Sequence, residues 1–391
     1  MRNLLAVLLL LGLPSIAAAQ QRVSAELSLA FVRDRGNLLA GYDDDGVTIA
    51  PAPRPPITAF LATSKVSAPL RSFVRLNLGA HATRDSLRLA DTYVTASFGK
   101  LELWAGRHAP LFVDITPASL VLETAQQFDG AGLTLDSLPA NIRIEAFGAR
   151  MHHMGNTASP DLFAIHISAQ PHPRLQVAVS RAAAVGGAGN SPLHLRDVPR
   201  ILVGMGGGEH GETENQVASA EAHWVLPARF PIALYVEWAF DDLSGAFVQV
   251  PGIKAGTELK PFTARPDLLL RLQAVSFARH VFGNPPWYRH SALPWIENRS
   301  PLGYPLGGHG NEWWLQLGEQ HPEWRANVGL FLRQRGEENI YAPAREGRSS
   351  GVLISASTRW KHGFESFADL YGENGTGWRE TDAQFGVRWS Y

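Results

Sequence analysis

The last nine residues of the chain alternate strictly between apolar and polar side chains, and this pattern constrains the fold more than any other feature. One face of the segment carries Ala383, Phe385, Val387, Trp389 and Tyr391. The other face carries Gln384, Gly386, Arg388 and Ser390. An apolar row that ends in aromatic residues, backed by a polar row, fits the wall of a barrel that faces lipid outside and water inside.

The opposite end of the chain has the features of an export signal. Arg2 provides a positive charge, residues 4–13 form an apolar run, and the three alanines at 17–19 make a small-residue cleavage site before Gln20. The apolar run is too short for the roughly 20 residues of a membrane-spanning helix. We therefore predict a signal peptide over residues 1–19 and a single domain over residues 20–391.

The composition excludes several classes of protein. With Cys 0, disulfides and thiolate metal sites are ruled out. The formal net charge is −1, and removal of Arg2 with the signal peptide makes it −2. Because the chain has no basic patch, nucleic acid is excluded as a partner. A content of Gly 37 and Pro 26 with only 18% charged residues is typical of a β protein with many turns.

Alternation recurs along the whole chain. In the clearest internal strand, one face carries Ile232, Leu234, Val236, Trp238 and Phe240. Tyr235 and Glu237 lie on its other face, and Arg75, Glu145 and Arg271 hold equivalent polar positions elsewhere. In a membrane barrel this polar face lines the lumen.

Short and long connections separate these strands. Short turns include residues 98–100, 227–229 and 361–363, and longer segments include 36–69, 109–140, 182–216 and 282–310. At about 20 residues per strand and connection, the chain fits about 18 strands. The predicted fold class is all-β: a transmembrane antiparallel β-barrel of the outer-membrane type. Residues 116–128 follow no single period, and we expect them to form an inward-folded loop or plug.

Local motifs give no support to cofactor or metal chemistry. Residues 206–211 match G-x-G-x-x-G, but no amphipathic helix follows, so we interpret them as a flexible loop. The acidic run at 43–45 does not match a calcium loop, and His309 with Glu312 lacks zinc-ligand spacing. We predict no cofactor and no metal site. A carboxylate pair for glycoside chemistry stays open, since sequence spacing does not report spacing in a barrel.

Aromatic residues cluster in the last third of the chain. They include Trp287, Tyr288, Trp295, Trp313, Trp314, Trp324 and Trp360. Trp and Tyr mark membrane interfaces, and their faces also stack on sugars. We favour the interface for tryptophans at strand ends. For the Pro-rich loop that contains Trp287, Tyr288 and Arg289 both interpretations stay open.

Two sequence blocks resemble a known family. The first contains Pro-Pro-Trp-Tyr-Arg-His at 285–290 and a Pro-Leu-Gly to Gly-Asn-Glu stretch at 301–312, followed by a strand that ends in Leu-Arg-Gln-Arg at 332–335. The second is Leu-Trp-Ala-Gly-Arg at 103–107. Both are similar to the outer-membrane capsule-assembly Wzi family. The resemblance implies a large barrel, closed or narrowed inside, that binds polysaccharide at the surface of a Gram-negative bacterium and catalyses no reaction.

Our first hypothesis is therefore an outer-membrane barrel that binds capsular or exported polysaccharide and helps to attach it. The predicted polysaccharide contacts are Trp287, Tyr288, Arg289, Glu312 and Trp313, and the predicted residues that organise the lumen are Arg107 and His309. The other expected partners are outer-membrane lipid, lipopolysaccharide and, through the C-terminal Tyr391, the barrel assembly machinery.

Two further hypotheses compete with the first. A porin or specific diffusion channel needs an open lumen lined by both charge signs, which Arg75, Glu145, Glu237 and Arg271 supply. A lipid- or glycan-modifying barrel enzyme needs a nucleophile or a carboxylate pair at one rim. Ion conductance separates the first two hypotheses, because a plugged barrel conducts little.

Overall fold

A computed structural model describes most of the chain after the predicted signal peptide. The described residues are 24–34, 39–41, 48–50, 58–71, 73–82, 87–89, 91–109, 116–122, 127–151, 153–154, 157–188, 214–227, 231–241, 251–260, 267–279, 287–288, 293, 295–297, 300–342 and 345–390. The predicted signal peptide and Tyr391 lie outside these ranges, and both assignments stay predictions.

One antiparallel sheet dominates the described residues, and it contains 19 segments. Its strands are β1 (Ser24–Asp34), β2 (Thr58–Arg71), β3 (Val74–Ala82), β4 (Leu87–Leu89 and Thr92–Phe98), β5 (Leu101–His108), β6 (Phe128–Leu138), β7 (Ile142–Arg150), β8 (Asp161–His172), β9 (Leu175–Val185), β10 (Glu214–Val225), β11 (Ile232–Asp241), β12 (Pro251–Leu259), β13 (Leu268–Phe277), β14 (Gly310–Gln320), β15 (Trp324–Arg335), β16 (Gly347–Arg359), β17 (Phe364–Gly375) and β18 (Trp378–Ser390). The two segments of β4 both pair with β3, and Asp91 between them has a positive φ of 49°. Counted as one interrupted strand, they bring the sheet to 18 strands.

Each strand pairs with the next along the chain, and the first strand also pairs with the last. β1 pairs with β2 from Ser24–Ser67 to Arg33–Thr58. On its other side β1 pairs with β18 from Glu26–Ser390 to Asp34–Asp382. This seam joins the two ends of the sheet and gives the ladder of a barrel. The expected all-β class and the count of about 18 strands are confirmed.

The two ends of the barrel differ in their connections. At the short-turn end, which also holds both termini of the sheet, two 3-10 turns, Pro139–Asn141 and Lys361–Gly363, join β6 to β7 and β16 to β17. The long-loop end carries a hairpin of Leu39–Gly41 with Thr48–Ala50. A small sheet there links the loop after β7 to the loop after β13; it consists of His153–Met154, Thr157–Ala158, Ile296–Glu297 and Ser300–Pro301. In the part of the chain that the structure describes, no helix is long and apolar enough to cross a membrane.

The wall is apolar outside and polar inside. Along β11 the outward side chains of Leu234 and Trp238 are 42% and 44% exposed, while Glu237 between them is fully buried. A soluble protein has the opposite arrangement, with charges outside and large apolar groups within. The strict alternation over β11, β14 and β15 therefore gives a surface suited to hydrocarbon and an interior that must satisfy charge.

Aromatic side chains form a girdle at each end of the apolar surface. At the short-turn end the exposed aromatics are Phe73, Phe98, Trp224, Trp324, Trp360 and Phe364. At the long-loop end they include Trp238 and Trp313. Trp313 pairs with Leu332, which lies eight residues along β15 from Trp324. At ~3.4 Å per residue and a tilt near ~40°, the girdles are roughly 21 Å apart, close to the ~25 Å apolar band of outer-membrane barrels.

Candidate functional site

Two segments from the long-loop end fill part of the lumen, and we call them the first plug segment (residues 116–122) and the second plug segment (the described residues of 287–309). Leu120, Val121 and Leu122 are buried to 1% exposure or less, and Trp287 and Trp295 are fully buried. They pack in one apolar core against inward-facing strand residues, among them Phe128, Phe147, Leu162, Val217 and Phe277. The inward-folded segment that the sequence predicted is present, and a second segment joins it.

Aromatic hydroxyl and indole groups tie the two plug segments together. Tyr288 Oη donates to the carbonyl oxygen of Leu120 at 2.5 Å and accepts from the amide of Tyr304 at 3.0 Å. The indole Nε1 of Trp295 donates to the carbonyl oxygen of Val121 at 2.7 Å. A Cβ at Gly303 would lie 2.5 Å from the Leu120 carbonyl oxygen, so only glycine allows this approach. The second segment thus satisfies backbone groups that the first one buries.

A buried ion pair anchors the first plug segment to the wall. Lys254 Nζ lies 2.7 Å from Glu237 Oε2, and both side chains are fully buried. Lys254 also donates to the carbonyl oxygens of Pro117, at 2.6 Å, and Ala118. Glu237 accepts from the amide of Leu120 at 2.9 Å. Two charges that are buried away from water need hydrogen-bond partners besides each other, and the backbone of the first plug segment provides them.

Further along the wall, β14, β15 and β17 carry a charged cluster, the lumen ion cluster, made of Glu312, Arg333, Arg335 and Glu373. All four side chains are at most 1% exposed. Glu373 lies 2.9 Å from Arg333 Nη1 and 2.8 Å from Arg335 Nη1, and Arg333 Nε also pairs with Glu312. Each charged group in this cluster contacts a group of opposite charge, so the four charges neutralise one another. The cluster is therefore a rigid part of the wall, and its side chains are not free to bind a ligand.

Tyr304 connects the plug to the lumen ion cluster. Its hydroxyl donates to Glu312 and accepts from Gln273 Nε2 at 2.8 Å. Burial, reinforced by the adjacent Glu312 carboxylate, raises the pKa of Tyr304 well above its usual range. The phenol therefore stays protonated and keeps its role as a donor.

A polar group covers the plug at the long-loop end, and we call it the rim cluster: Arg279, His309, Glu337 and Glu338. Arg279 Nη2 lies 2.7 Å from Glu337 Oε1, and both side chains are more than half exposed. His309 Nδ1 accepts from the amide of Glu338 at 3.3 Å. Asn339 Nδ2 donates to the carbonyl oxygen of Leu306 at 2.9 Å, which holds the loop after β15 onto the plug.

The predicted polysaccharide contacts do not come together on one surface. Trp287 and Tyr288 lie fully buried in the plug, and Glu312 belongs to the lumen ion cluster. Trp313, 65% exposed, projects from the outer face in the long-loop girdle. Arg289 lies outside the described residues. A polysaccharide role for these five residues stays a prediction, and the structure gives Trp287, Tyr288 and Glu312 contacts inside the barrel.

The two residues predicted to organise the lumen differ in position. Arg107 pairs with Asp129 at 3.8 Å and lies on the strand face opposite to the buried Trp104 and Phe128. It is therefore on the outer face, and alternation places it there because Trp104, three residues earlier, faces inward. His309 lies at the end of the plug, where it accepts a hydrogen bond from the amide of Glu338 in the rim cluster.

Sequence reasoning missed the residues that matter most inside the barrel. Lys254 and Arg335 were not singled out, although each occupies a polar position of an alternating strand. The register places Lys254 directly opposite Glu237, and Arg333 opposite Glu312. A charge of opposite sign at the paired position of the next strand is the signal that could have found them.

One group at the short-turn end has spacing that suits a metal ion. Asp267, Glu319 and His321 have ligand atoms within 4.8 Å of one another. His321 Nε2 lies 2.7 Å from Asp267 and 3.1 Å from Glu319, so a single nitrogen faces both carboxylates. This is the geometry of an ion-paired histidine, and the group lies at the opposite end of the barrel from the plug.

The apolar outer surface, the two girdles and the plug segments in the lumen define an outer-membrane β-barrel with a plug. The family of the capsule assembly protein Wzi matches residues 134–371, more than half of the chain. The protein therefore belongs to the Wzi capsule assembly family, which confirms the resemblance found in the sequence. The family and the structural matches below place it in the outer membrane of a Gram-negative bacterium.

Solved structures share the fold at low sequence identity. Escherichia coli Wzi, described as an outer-membrane, carbohydrate-binding β-barrel involved in group 1 capsule assembly, matches with a TM-score of 0.74 and 14% identity over 93% of this chain and 83% of that one. Pseudomonas aeruginosa OpdQ matches with a TM-score of 0.57 and 9% identity, covering 94% and 97% of the two chains. P. aeruginosa OpdL matches with a TM-score of 0.58 and 11% identity, covering 94% of this chain and 98% of that one. No curated protein matches the sequence.

Proposed function

We propose that this protein binds capsular or exported polysaccharide at its long-loop end and helps to attach or assemble it at the cell surface, without converting it chemically. Membership of the Wzi family supports this function, and so does the shared fold of E. coli Wzi, a carbohydrate-binding barrel. The observation that carries the proposal is the plug, which fills part of the lumen. A polymer does not pass through an apolar core that contains Trp287, Trp295 and Leu120, so contact is made on the surface above it.

The rim cluster is the part of that surface best suited to sugars. Arg279 and Glu337 present exposed charge of both signs, which hydrogen-bonds to hydroxyl groups and pairs with acidic sugars. Arg289 directly follows two buried plug residues, so it belongs to the same loop and is our further candidate for contact. In this proposal Trp287 and Tyr288 position the loop and do not touch the polymer themselves.

Binding of purified polysaccharide from the host strain to the purified protein tests the rim. The variant Arg279→Ala with Glu337→Gln should bind at least tenfold more weakly than the wild type. The matched control is Arg359→Gln, an exposed arginine at the short-turn end, and it should bind normally. Heat-modifiable mobility in gels confirms that each barrel is folded. Equal binding by the folded rim variant contradicts the rim assignment, and no binding by the wild type contradicts the function.

Planar-bilayer conductance tests the competing diffusion-channel hypothesis. We expect insertion of the wild-type barrel with few or no ion-conducting steps, because the plug segments are packed and hydrogen-bonded to the wall. Large and steady steps would contradict the proposal and favour a channel.

A further inference from the structure

The strand register of β14–β18 arranges the outer face of the barrel into rows that run around it. One row, here the boundary row, consists of Trp313, Leu332, Ser350, Asn374 and Arg379, each paired with the next. The row nearer the membrane centre consists of Leu315, Leu330, Val352, Gly372 and Thr381. The row nearer the loops begins with Asn311, Gln334 and Arg348. Along β14, β15 and β16 the surface thus changes from apolar to polar within two residues, which marks the headgroup level.

Two arginines at this level have no acidic partner within the described ranges. Arg348 and Arg379 are both exposed on the outer face. Other exposed arginines at the long-loop end are paired: Arg150 with Asp161 at 2.5 Å, and Arg279 with Glu337 at 2.7 Å. Two unneutralised cations at the edge of an apolar band are complementary to anionic headgroups.

A groove runs along the boundary row beside these arginines. Trp313 projects from the surface between two adjoining depressions of about 850 and 960 Å³. Small residues make the floor, because Ser350 and Gly372 project little from the outer face, whereas the neighbouring strand carries leucine. The groove therefore has an indole wall, a low apolar floor and a polar upper edge.

We infer that this surface binds a phosphorylated glycolipid of the outer leaflet, with its phosphates on Arg348 and Arg379 and one acyl chain in the groove beside Trp313. Outer-membrane barrels direct their long loops to the cell exterior, so the boundary row meets the outer leaflet. Guanidinium groups bind phosphate through paired hydrogen bonds. Arg348 and Arg379 lie on strands separated by β17 and are offset by two residues along the strand. At ~4.8 Å per strand and ~3.4 Å per residue they are roughly 12 Å apart, which suits a sugar headgroup with two phosphates better than one phosphodiester.

This inference is independent of polysaccharide binding, and the wild-type protein provides the first test. Native mass spectrometry of the full-length barrel in detergent measures its binding of bisphosphorylated lipid A, dephosphorylated lipid A and phosphatidylglycerol. The bisphosphorylated lipid should bind at least tenfold more tightly than either other lipid. Equal affinity for the dephosphorylated form overturns the phosphate site, and equal affinity for phosphatidylglycerol overturns the sugar headgroup.

Variants then locate the site. Arg348→Gln with Arg379→Gln should lower the affinity for bisphosphorylated lipid A at least tenfold. Arg359→Gln with Lys361→Gln, which removes two cations at the opposite rim, is the matched control and should leave it unchanged. Equal loss in both pairs, or loss in neither, overturns the assignment to this surface. If the first pair fails to assemble, Arg379→Gln alone, expected to lose about threefold, replaces it.

A separate substitution tests the groove. Ser350→Leu fills the floor beside Trp313 and leaves both arginines in place, so it should weaken lipid A binding about fivefold. Leucine on the outer face is compatible with the neighbouring Leu332, and heat-modifiable mobility verifies the barrel. Full affinity in this folded variant overturns the acyl-chain position.

Discussion

The lumen has an aromatic side and an ionic side, and they are filled in different ways. On the aromatic side, Trp287 and Trp295 enter from a loop and pack against small and apolar wall residues. On the ionic side, Arg333, Arg335 and Glu373 extend from the wall itself and meet each other. Where the wall carries short side chains, plug residues complete the core, and around Glu373 the long charged side chains of the wall itself fill the space. The comparison shows two solutions to one requirement, that a barrel interior be packed and neutral.

The largest effect should come from the ionic side. Glu373→Ala leaves Arg333 and Arg335 buried together without the carboxylate between them. Breaking a buried ion pair in this way costs about 3–5 kcal/mol. The free energy of unfolding in guanidinium should fall by that amount, whereas the exposed Glu346→Ala control should change little. If the free energy of unfolding falls by less than ~1 kcal/mol, water reaches the lumen ion cluster. The ionic side would then be less tightly packed than its geometry indicates.

Trp287→Ala should have the next largest effect, on the aromatic side. Truncating a fully buried tryptophan costs about 3 kcal/mol or more through the cavity it leaves. Because the plug is not part of the wall, we expect this loss to loosen the plug and raise single-channel conductance while the barrel stays folded. The outward-facing Trp313→Ala is the control, and its conductance should stay at the wild-type value. If the conductance of the Trp287→Ala barrel does not rise, other contacts hold the plug in place.

Tyr288→Phe tests the hydrogen bonds of the plug without changing its packing. The phenylalanine ring keeps the shape but leaves the carbonyl of Leu120 and the amide of Tyr304 without their shared partner. Buried groups left in this way cost about 1–3 kcal/mol. Faster hydrogen exchange at the Tyr304 amide, with unchanged exchange in β14–β18, would confirm the effect. Uniformly faster exchange would instead indicate that the two sides of the lumen unfold together.

The barrel wall was predictable because its chemistry repeats every two residues. Lipid and lumen impose opposite demands on neighbouring positions, so segments such as residues 232–240 show their orientation in the sequence alone. The chain length, at about 20 residues per strand and connection, predicted the strand count, and the tryptophans at strand ends predicted the girdles. None of these inferences requires knowing which strand lies next to which.

The interior was only partly predictable, since its contacts join distant parts of the chain. Residues 116–128 stood out because they follow no period, but Trp287 and Tyr288 were interpreted as candidate polysaccharide contacts. An aromatic that fills a plug and one that stacks on sugar look alike in sequence. The ion pair of Glu312 with Arg333 was unpredictable for a similar reason, because a charge on the polar face of a strand has the same sequence pattern whether it meets water or an arginine.

Tyr304→Phe, with an effect of the same size as Tyr288→Phe, is the most direct test of whether the two sides of the lumen act as one. Its hydroxyl is the described link between the plug and the ionic side, through Glu312. Loss of a hydrogen bond to a charged group costs about 1.5–3 kcal/mol. A double-mutant cycle with Glu312→Gln isolates the interaction, and residues in contact give coupling of about 0.5–3 kcal/mol. Coupling within that range would mean that the plug stiffens the ionic wall. Additive losses would mean that each side is stable by itself, and that the plug can move without disturbing β14–β18.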